Sequence, residues 1–359
     1  MTKNFFAKIM LLALVALAFG MNAMADNVIK IADFNVVPGG ASVQVEVEMD
    51  NEDPISSLQF DLILPEGLTY NNYSRTDRMT NSSHAIQTVS DKNTGIRRFL
   101  ITSNATDIKT SALKGNSGAV LKISLSASSS FSGGEVVLKD IVGSNGTVPM
   151  PQEILFADAK AKVIPNAGTF ALGSESVNLR NGDDEAVKVD FSLSNQITTV
   201  GLQAQMVLPE GVSLEIEKSD RLTENVTTMA YTRNGVTTIL LSSLTSDPFV
   251  AKEGVLFSML LKADKAKVGK YDVELKDVLV SNEIGKAFAL SSEKGGFELN
   301  VLPSFDFNND GEFDIQDVQD LFDAFMGLNE MEPISYLGEE EPSIDDVQYL
   351  FDVYMGFEE

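Results

Sequence analysis

The feature that most constrains this chain is a strand-and-turn pattern that occurs twice in the same order. The segment LQFDLILPEGL (58–68) returns as LQAQMVLPEGV (202–212), and VVLKDIVGSN (136–145) returns as VELKDVLVSN (273–282). The spacing between matching segments changes only from 144 to 137 residues. A tandem duplication of a unit of about 140 residues explains this similarity. The body of the chain is therefore expected to form one fold twice.

Each repeat has the pattern of an all-β domain. The segments VQVEVEM (43–49) and VKVDFSL (187–193) alternate apolar and polar residues, which turns one face of a strand inward and the other outward. Leu-Pro-Glu-Gly follows a strand in both repeats, where Pro cannot donate to a β-ladder and Gly permits a turn. Many short strands separated by Gly, Asn, Asp and Ser predict a β-sandwich in each repeat.

In these motifs the two repeats resemble cohesin domains. The resemblance is carried by IADFNVVPGGASVQVEVEMDN, SLQFDLILPEGL and TGIRRFLIT, and by the closing strands GAVLKISLSA and VVLKDIVGSN. It covers residues 27–164 and 165–302, so that both repeats are included. It implies two tandem jelly-roll β-sandwiches, similar in fold to some carbohydrate-binding modules, and it implies dockerins as binding partners.

The acidic charge of the chain is concentrated in residues 303–359. The 359 residues carry a formal charge of −25, and this tail contains nine Asp and eight Glu but no Lys or Arg. Its charge is therefore −17. Such a surface repels nucleic acid and anionic membranes. Its oxygen donors attract hard cations.

A twelve-residue calcium loop is predicted at the start of this tail. Counted from Asp306 as position 1, oxygen-bearing residues occupy positions 1, 3, 5, 7, 9 and 12, and Gly311 occupies position 6. Alternate residues of a tight loop can direct their oxygens to one centre, which suits the six to eight ligands of Ca²⁺. The predicted ligands are Asp306, Asn308, Asp310, Glu312 through its backbone carbonyl, Asp314 directly or through a water, and Asp317.

An amphipathic helix is predicted after the loop, and this helix is repeated. Asp314 suits its N-cap, and Gly327 suits its C-terminal stop. The segment DVQDLFDAFMG (317–327) returns as DVQYLFDVYMG (346–356), with 8 of 11 positions identical. The two helices are expected to pack through apolar stripes, and the stripe of the first consists of Val318, Leu321, Phe322, Phe325 and Met326.

Two loop–helix units in tandem make residues 303–359 resemble a dockerin. The second loop departs from the pattern, because Leu337 stands at position 3 and Glu340 replaces the glycine at position 6. One strong calcium site is therefore expected, with a second that is weak or absent. A cation held by Glu339, Glu340 and Glu341 in another register is an open alternative, and a solvated acidic loop is the simpler interpretation.

The dockerin resemblance also implies a partner-binding face along the two helices. The implied residues are Ile315, Gln316 and Asp323 in the first half and Ile344, Asp345 and Asp352 in the second. Many dockerins carry basic or small hydroxyl residues where Asp323 and Asp352 stand, so the sequence leaves the identity of the partner open. An ordinary solvated helix surface is the alternative interpretation of these residues.

Residues 1–25 have the features of a secretory signal peptide. Lys3 and Lys8 precede an apolar run at 9–19, and Ala23-Met24-Ala25 offers small residues before a cleavage site. The run is too short for an ordinary membrane span, and no span is expected in the mature chain; an uncleaved anchor is the alternative. The absence of cysteine excludes disulfides and thiolate metal sites. The prediction is a secreted or cell-surface bacterial protein.

The sequence predicts a secreted, non-catalytic assembly protein, linked through its resemblances to polysaccharide degradation. Its expected partners are secreted proteins that carry cohesins or dockerins. Docking of the tail onto the second sandwich of its own chain is an open alternative. A carbohydrate-binding module is the alternative function, with polysaccharide as ligand. The chain has no Trp and only 7 Tyr, and the candidate stacking residues are Tyr70, Tyr73, Tyr231 and Tyr271.

An enzyme is the third hypothesis. With no Cys and one His, most acid–base and nucleophilic arrangements are excluded, although glycoside hydrolysis needs only two carboxylates. The lone His84 is expected in a loop. Asp77-Arg78 and its repeat Asp220-Arg221 are expected to form local ion pairs.

Overall fold

The computed structural model describes residues 27–79, 84–91, 94–105, 111–145, 152–338 and 341–358. The predicted signal peptide at 1–25 lies outside these residues, as do Glu339 and Glu340 of the second loop. The chain divides into two compact units, one ending at Pro165 and the other beginning at Asn166. The second unit holds both the second repeat and the acidic tail.

The first unit consists of short strands arranged in two sheets. In chain order the strands are β1 (Val28–Ile31), β2 (Phe34–Val36), β3 (Val43–Asp50), β4 (Ser57–Ile63), β5 (Leu68–Arg75), β6 (His84–Ser90), β7 (Arg97–Ser103), β8 (Ala119–Ala127), β9 (Gly134–Ser144), β10 (Glu153–Leu155) and β11 (Ala159–Pro165). One sheet has the order β1-β3-β8-β5, and the other has the order β2-β11-β9-β4-β7-β6, with β10 paired to β9.

The core of the first unit lies between its two sheets. In β3, Val47 and Met49 are fully buried while the intervening polar residues are exposed, as the period-two alternation predicts. The other sheet contributes Phe60 and Phe99, whose rings stack with centroids 4.9 Å apart. Tyr70 of β5 meets the edge of Phe99 at 5.7 Å, so aromatic contact joins the two sheets.

The strands of the second unit form sheets with the orders β16-β19-β14-β12-β23, β13-β24-β20 and β17-β18-β15-β21-β22. In chain order they are β12 (Gly168–Leu172), β13 (Ser176–Arg180), β14 (Val187–Asn195), β15 (Gly201–Met206), β16 (Val212–Lys218), β17 (Val226–Arg233), β18 (Val236–Ser243), β19 (Val255–Ala263), β20 (Gly269–Glu274), β21 (Lys276–Ser281), β22 (Ala287–Ala289), β23 (Ser291–Lys294) and β24 (Gly296–Leu302).

The repeat in the sequence corresponds to a repeat in strand order. The order β16-β19-β14-β12 matches β5-β8-β3-β1, and β17-β18-β15-β21 matches β6-β7-β4-β9. The second core is also aromatic, because Phe191 stacks on Phe170 at 5.4 Å and on Phe257 at 4.7 Å. The prediction of a mainly β protein built from sandwiches is confirmed.

Arg78 and its repeat Arg221 are buried, and the expected ion pairs with Asp77 and Asp220 are wrong. Each guanidinium donates instead to four backbone carbonyls and one Asn side chain. For Arg78 the acceptors are Met49, Lys114, Gly115, Gly118 and Asn51, and for Arg221 they are Leu193, Val250, Ala251, Gly254 and Asn195. The planar fork of five donors suits this role.

The expected loop position of His84 is also wrong. This residue begins β6 and is only 2% exposed. Burial lowers the pKa of His84 and nearby Arg75 lowers it further, while hydrogen bonds with the backbone at Ser111 and Ser56 partly offset these effects. Its imidazole is therefore neutral in the folded chain at neutral pH.

Two helices lie in the described part of the tail, α1 (Ile315–Phe325) and α2 (Ile344–Tyr354). As predicted, Asp314 caps α1 and Gly327 follows its end with a positive φ of 69°. The predicted apolar stripe is only partly right, because Phe325 and Met326 are exposed while Ala324 is buried. Among the described residues, no helix has the length and apolarity needed to cross a membrane.

Candidate functional site

The predicted calcium loop is a tight turn that leads directly into α1. Asn309 and Gly311 have positive φ values of 58° and 98°, which bend the chain sharply at positions 4 and 6. Glycine adopts this conformation without steric cost, and asparagine tolerates it better than most residues. Asp306 and Asn308 precede this turn in the chain, and Glu312 and Asp314 follow it.

The acidic side chains of this loop accept hydrogen bonds from its own backbone. Asp306 accepts from the N–H groups of Asp310 and Gly311 at 3.1 and 3.0 Å. The Asn308 side chain accepts from the Asp310 N–H at 2.9 Å, and the Asp310 carboxylate accepts from the Glu312 N–H at 3.0 Å. These bonds fix the side chains at alternate positions of the loop, and each oxygen keeps a further lone pair.

Asp317 closes the loop from the first turn of α1. Its side chain is fully buried and accepts from the Asn308 N–H at 3.1 Å and from the Asp314 N–H at 2.8 Å. The Asp314 side chain accepts from the Gln316 N–H at 2.7 Å. It also accepts from the Asp317 N–H, and this bond together with the one from the Asp314 N–H to Asp317 forms a capping box. Positions 3, 9 and 12 of the loop are thus held together by one carboxylate.

The donor set of this loop fits a hard cation by its chemistry. Every predicted side-chain ligand offers carboxylate or amide oxygen, the type that Ca²⁺ prefers. Within the described ranges, however, no three His, Cys, Asp or Glu side chains are grouped closely enough to hold a metal ion between them. Convergence of these oxygens on one ion therefore remains a prediction.

The second loop is also closed by the carboxylate at position 12, which here accepts more hydrogen bonds from the protein than in the first loop. Asp346 is 1% exposed and accepts from the N–H groups of Tyr336, Leu337 and Ser343 at 2.6, 2.9 and 2.7 Å. The Ser335 hydroxyl, which stands where the first loop has Asp306, also donates to Asp346 at 3.2 Å. Burial alone would raise the pKa of Asp346, but these hydrogen bonds together lower it below its usual value.

The two helices end in the same way, which preserves their pseudo-symmetry. The N–H of Leu328 donates to the carbonyl of Asp323 at 2.7 Å, and the N–H of Phe357 donates to that of Asp352 at 2.8 Å. Each bond belongs to a Schellman motif around a following glycine. Between the helices lies a small core made of Phe307, Val318, Leu321, Ala324, Tyr336, Val347 and Leu350.

An open groove of about 330 Å³ runs between α1 and α2. It is lined by four residues of each helix at matching positions, namely Ile315, Val318, Gln319 and Phe322, and Ile344, Val347, Gln348 and Phe351. Ile315 and Ile344 are each 49% exposed. Two large apolar side chains are thus presented symmetrically at an accessible surface.

The remaining residues of the implied partner face do not line this groove. Gln316 and Asp345 are exposed at the first turns of the helices. Asp323 and Asp352 are half-buried and accept hydrogen bonds from Gln319 and Gln348 at 2.9 and 2.8 Å, respectively. The structure therefore brings the two isoleucines together at the groove and leaves the four polar residues outside its lining.

One pair of matching positions in the two sandwiches differs in chemistry. In the first, Arg98 of β7 makes two hydrogen bonds of 2.7 Å to Asp61 of β4, and this carboxylate raises the pKa of Arg98. At the matching positions of the second, Gln205 of β15 lies opposite Thr238 of β18. Two repeats with the same strand order therefore contain an ion pair and a neutral polar pair at matching positions.

Three of the four candidate glycan-stacking tyrosines are engaged within the protein. Tyr70 and Tyr73 pack edge-on against Phe99, and Arg97 lies 4.2 Å above the Tyr70 ring. The Tyr271 hydroxyl donates to the Lys267 carbonyl at 2.7 Å. Tyr231 is 46% exposed. Tyr70, Tyr73 and Tyr271 are thus held by contacts within their own units, and Tyr231 is the most exposed of the four.

Comparison with known proteins gives only distant structural likeness. No family model matches the chain, and no curated protein matches it. Solved structures that resemble it include the seventh type I cohesin of ScaB from Pseudobacteroides cellulosolvens, at 21% identity and a TM-score of 0.32, covering 40% of this chain and 96% of that one.

Two further similar structures come from Acetivibrio cellulolyticus. The sixth cohesin of scaffoldin B, solved in complex with the Cel5 dockerin, has 19% identity and a TM-score of 0.33, covering 39% of this chain and 99% of its own. The type II cohesin dyad of the adaptor scaffoldin ScaA has 13% identity and a TM-score of 0.32, covering 76% and 98%. All three TM-scores are below 0.5, so the likeness to these structures is distant.

Proposed function

We propose that this chain is a secreted, non-catalytic assembly protein that docks onto another secreted protein through the groove between α1 and α2. The observation that carries the proposal is the symmetric exposure of Ile315 and Ile344 at this groove. Exposed apolar side chains arranged around a groove are typical of protein-binding surfaces. The two sandwiches are proposed to receive dockerin-like tails of other proteins.

A calcium ion at the first loop is part of this proposal. Asp306, Asn308, Asp310 and Asp317 would hold it through side-chain oxygens, Glu312 through its carbonyl, and Asp314 directly or through a water. The ion would neutralise part of a tail that carries a charge of −17. Because a small acidic segment has little core of its own, the free energy of calcium binding would stabilise its fold. The groove begins at Ile315, one residue after the predicted ligand Asp314.

The chemistry of the groove defines the partner that it fits. Its lining is largely apolar, while Asp323, Asp345 and Asp352 lie on the same two helices. The matching surface is therefore a sandwich face with an apolar ridge flanked by Lys or Arg. Charge complementarity of this kind increases the association rate and excludes acidic partners.

The test is capture of secreted proteins by the immobilised mature chain, with the double variant Ile315→Asp/Ile344→Asp compared with wild type. The variant should capture a specific partner at least tenfold less well, because two charges are introduced into an apolar interface. Addition of chelator to the wild type should cause a similar loss. Leu328→Asp is the control, since Leu328 is 71% exposed in the same tail and lies outside the groove lining.

Equal capture by wild type and the double variant would contradict the proposed docking surface. Equal capture with and without chelator would contradict the calcium dependence alone. Retention of the chain on insoluble polysaccharide, without any protein partner, would favour the carbohydrate-binding alternative.

A further inference from the structure

The tail begins beside a strand of the second sandwich. β24 pairs in parallel with β13, and Arg180 at the end of β13 lies opposite Leu302 at the end of β24. Arg180 donates from Nη1 to the Pro303 carbonyl at 3.0 Å. The backbone N–H of Asn181 donates to the Leu302 carbonyl at 3.1 Å. The first residue of the tail, Pro303, is therefore bound to the sandwich by a side-chain hydrogen bond from Arg180, next to a backbone hydrogen bond at the end of β24.

Arg180 also covers an aromatic cluster that belongs to the tail. Its guanidinium carbon lies 3.5 Å from the centre of the Phe305 ring. Phe305 in turn is 5.3 Å from Phe313, 6.0 Å from Tyr336 and 6.4 Å from Tyr349, measured between ring centroids. The cluster joins residues of the first loop, the second loop and α2 under one cation.

Burial strengthens this contact. Removal from water lowers the pKa of Arg180, while attraction from Tyr349, Asp183 and Tyr336 partly offsets the effect. Arginine stays charged at neutral pH even with such a shift. A desolvated cation over an aromatic face is stabilised more strongly than an exposed one.

The second loop is attached at the same place through Tyr336. This residue is 8% exposed, and its hydroxyl donates to the Ser304 carbonyl at 2.7 Å. Burial raises the pKa of Tyr336 above its ordinary value. Tyr336 also donates its N–H to Asp346, the carboxylate that closes the second loop. The second half of the tail is thus connected to the junction with the sandwich by side-chain and backbone contacts.

We infer that the end of the second sandwich at Arg180 is an intramolecular docking site for the tail, where Phe305 and Tyr336 fasten the second loop–helix half. The second sandwich and the tail then unfold as one cooperative unit. This contact supports α2 in the half of the tail whose loop departs from the calcium pattern. The inference goes beyond the proposed function and does not depend on calcium binding.

Hydrogen exchange of the full chain tests this inference, with the amides of α2 as the readout and excess chelator present throughout. Arg180→Ala should accelerate exchange in α2 by about tenfold, since it removes a buried cation–π contact and a hydrogen bond. Tyr336→Phe should give a smaller acceleration, because it removes only the hydroxyl. Arg233→Ala is the control, since Arg233 is exposed at the end of β17 in the same sandwich.

The inference would be overturned if the amides of α2 exchanged at the wild-type rate in both Arg180→Ala and Tyr336→Phe. Equal acceleration by Arg233→Ala would overturn it as well, because the effect would not be specific to the docking site. A parallel measurement in calcium separates this result from the proposed function. If calcium changes nothing in the wild type, the calcium proposal fails while the Arg180 result in chelator still stands.

Discussion

Arg78 and Arg221 show how a repeated polar residue can be structural. Each occupies the same place in its repeat and donates hydrogen bonds to four backbone carbonyls and an Asn side chain. Asp140 and Asp277 occupy the same place in the repeated segments 136–145 and 273–282. Both have a positive φ, of 50° and 48°, beside an irregularity in strand pairing. Aspartate tolerates this conformation better than most residues. Repetition of these residues therefore follows from the fold and does not indicate catalysis.

The substitution Arg78→Lys should destabilise the first sandwich by about 2–4 kcal/mol, because a lysine cannot satisfy five separated acceptors and leaves buried carbonyls unpaired. Urea unfolding of the full chain, followed by hydrogen exchange in β3 and β8, would measure the change. Asp77→Ala is the matched control and should change stability by less than about 0.5 kcal/mol. A larger effect of Asp77→Ala would restore the ion-pair interpretation.

His84 should make the first sandwich sensitive to mild acid. Its pKa is lowered from 6.5 in the folded chain, so the stability that it contributes is present above 6.5 and is lost as the pH falls through the folded value. The free energy of unfolding should therefore fall by up to about 1.4 kcal/mol per pH unit just below pH 6.5. Hydrogen exchange in β6 and β7 between pH 7 and pH 5, corrected for intrinsic rates, would report it.

The variant His84→Gln serves as the control for this pH dependence. Because the chain has one His, the variant should show a flat profile over the same range. A wild-type profile that is equally flat would contradict the role assigned to the buried imidazole.

At the scale of elements, the two loop–helix units share their framework and differ in what closes the loop. Asp317 and Asp346 accept backbone N–H groups at equivalent positions, and both helices have a capping box and a Schellman motif. In the second loop the Ser335 hydroxyl donates directly to Asp346. The equivalent residue of the first loop is Asp306, a carboxylate that cannot donate to Asp317 when ionised. A cation between Asp306 and Asp317 would attract both carboxylates, in place of the hydrogen bond that Ser335 donates to Asp346 in the second loop.

Asp346→Asn should therefore destabilise α2 by about 1–3 kcal/mol, since the amide nitrogen replaces an acceptor that faces an N–H donor. The loss should be the same in calcium and in chelator, because this loop is closed by protein donors. Hydrogen exchange in α2 under both conditions would measure it. Asp306→Asn is the comparison, and it should weaken calcium binding by tenfold or more in calorimetry. Calcium dependence of the Asp346→Asn effect would instead assign an ion to the second loop.

At the scale of the whole molecule, the tail is part of the second compact unit. Calcium at 100 times its dissociation constant should therefore add about 2.7 kcal/mol to the unfolding free energy of that unit and leave the first unit unchanged. Differential scanning calorimetry of the chain, with calcium and with chelator, would resolve the two transitions. Asp306→Asn should abolish most of the shift. A shift confined to the first unit would contradict the assignment of the site to the tail.

The sequence by itself determined the elements that depend on local pattern. Alternation at 43–49 gave the buried face of β3, turn residues separated the strands, and Asp314 and Gly327 marked the ends of α1. Each of these features is set by residues within a few positions of one another, which is why a single sequence reveals them. The positions of the oxygen-bearing residues in the first loop are a pattern of the same local kind.

The tertiary structure decided the contacts between distant residues. Arg180 donates to the Pro303 carbonyl across 123 positions of the chain, and Arg78 finds its acceptors on other strands and loops. In α1, Ala324 joins the buried core of the tail while Phe325 is exposed. No local periodicity encodes such pairs, since they depend on which surfaces meet after the strands and helices have formed. The attachment of the acidic tail to the second sandwich is therefore a property of the folded chain.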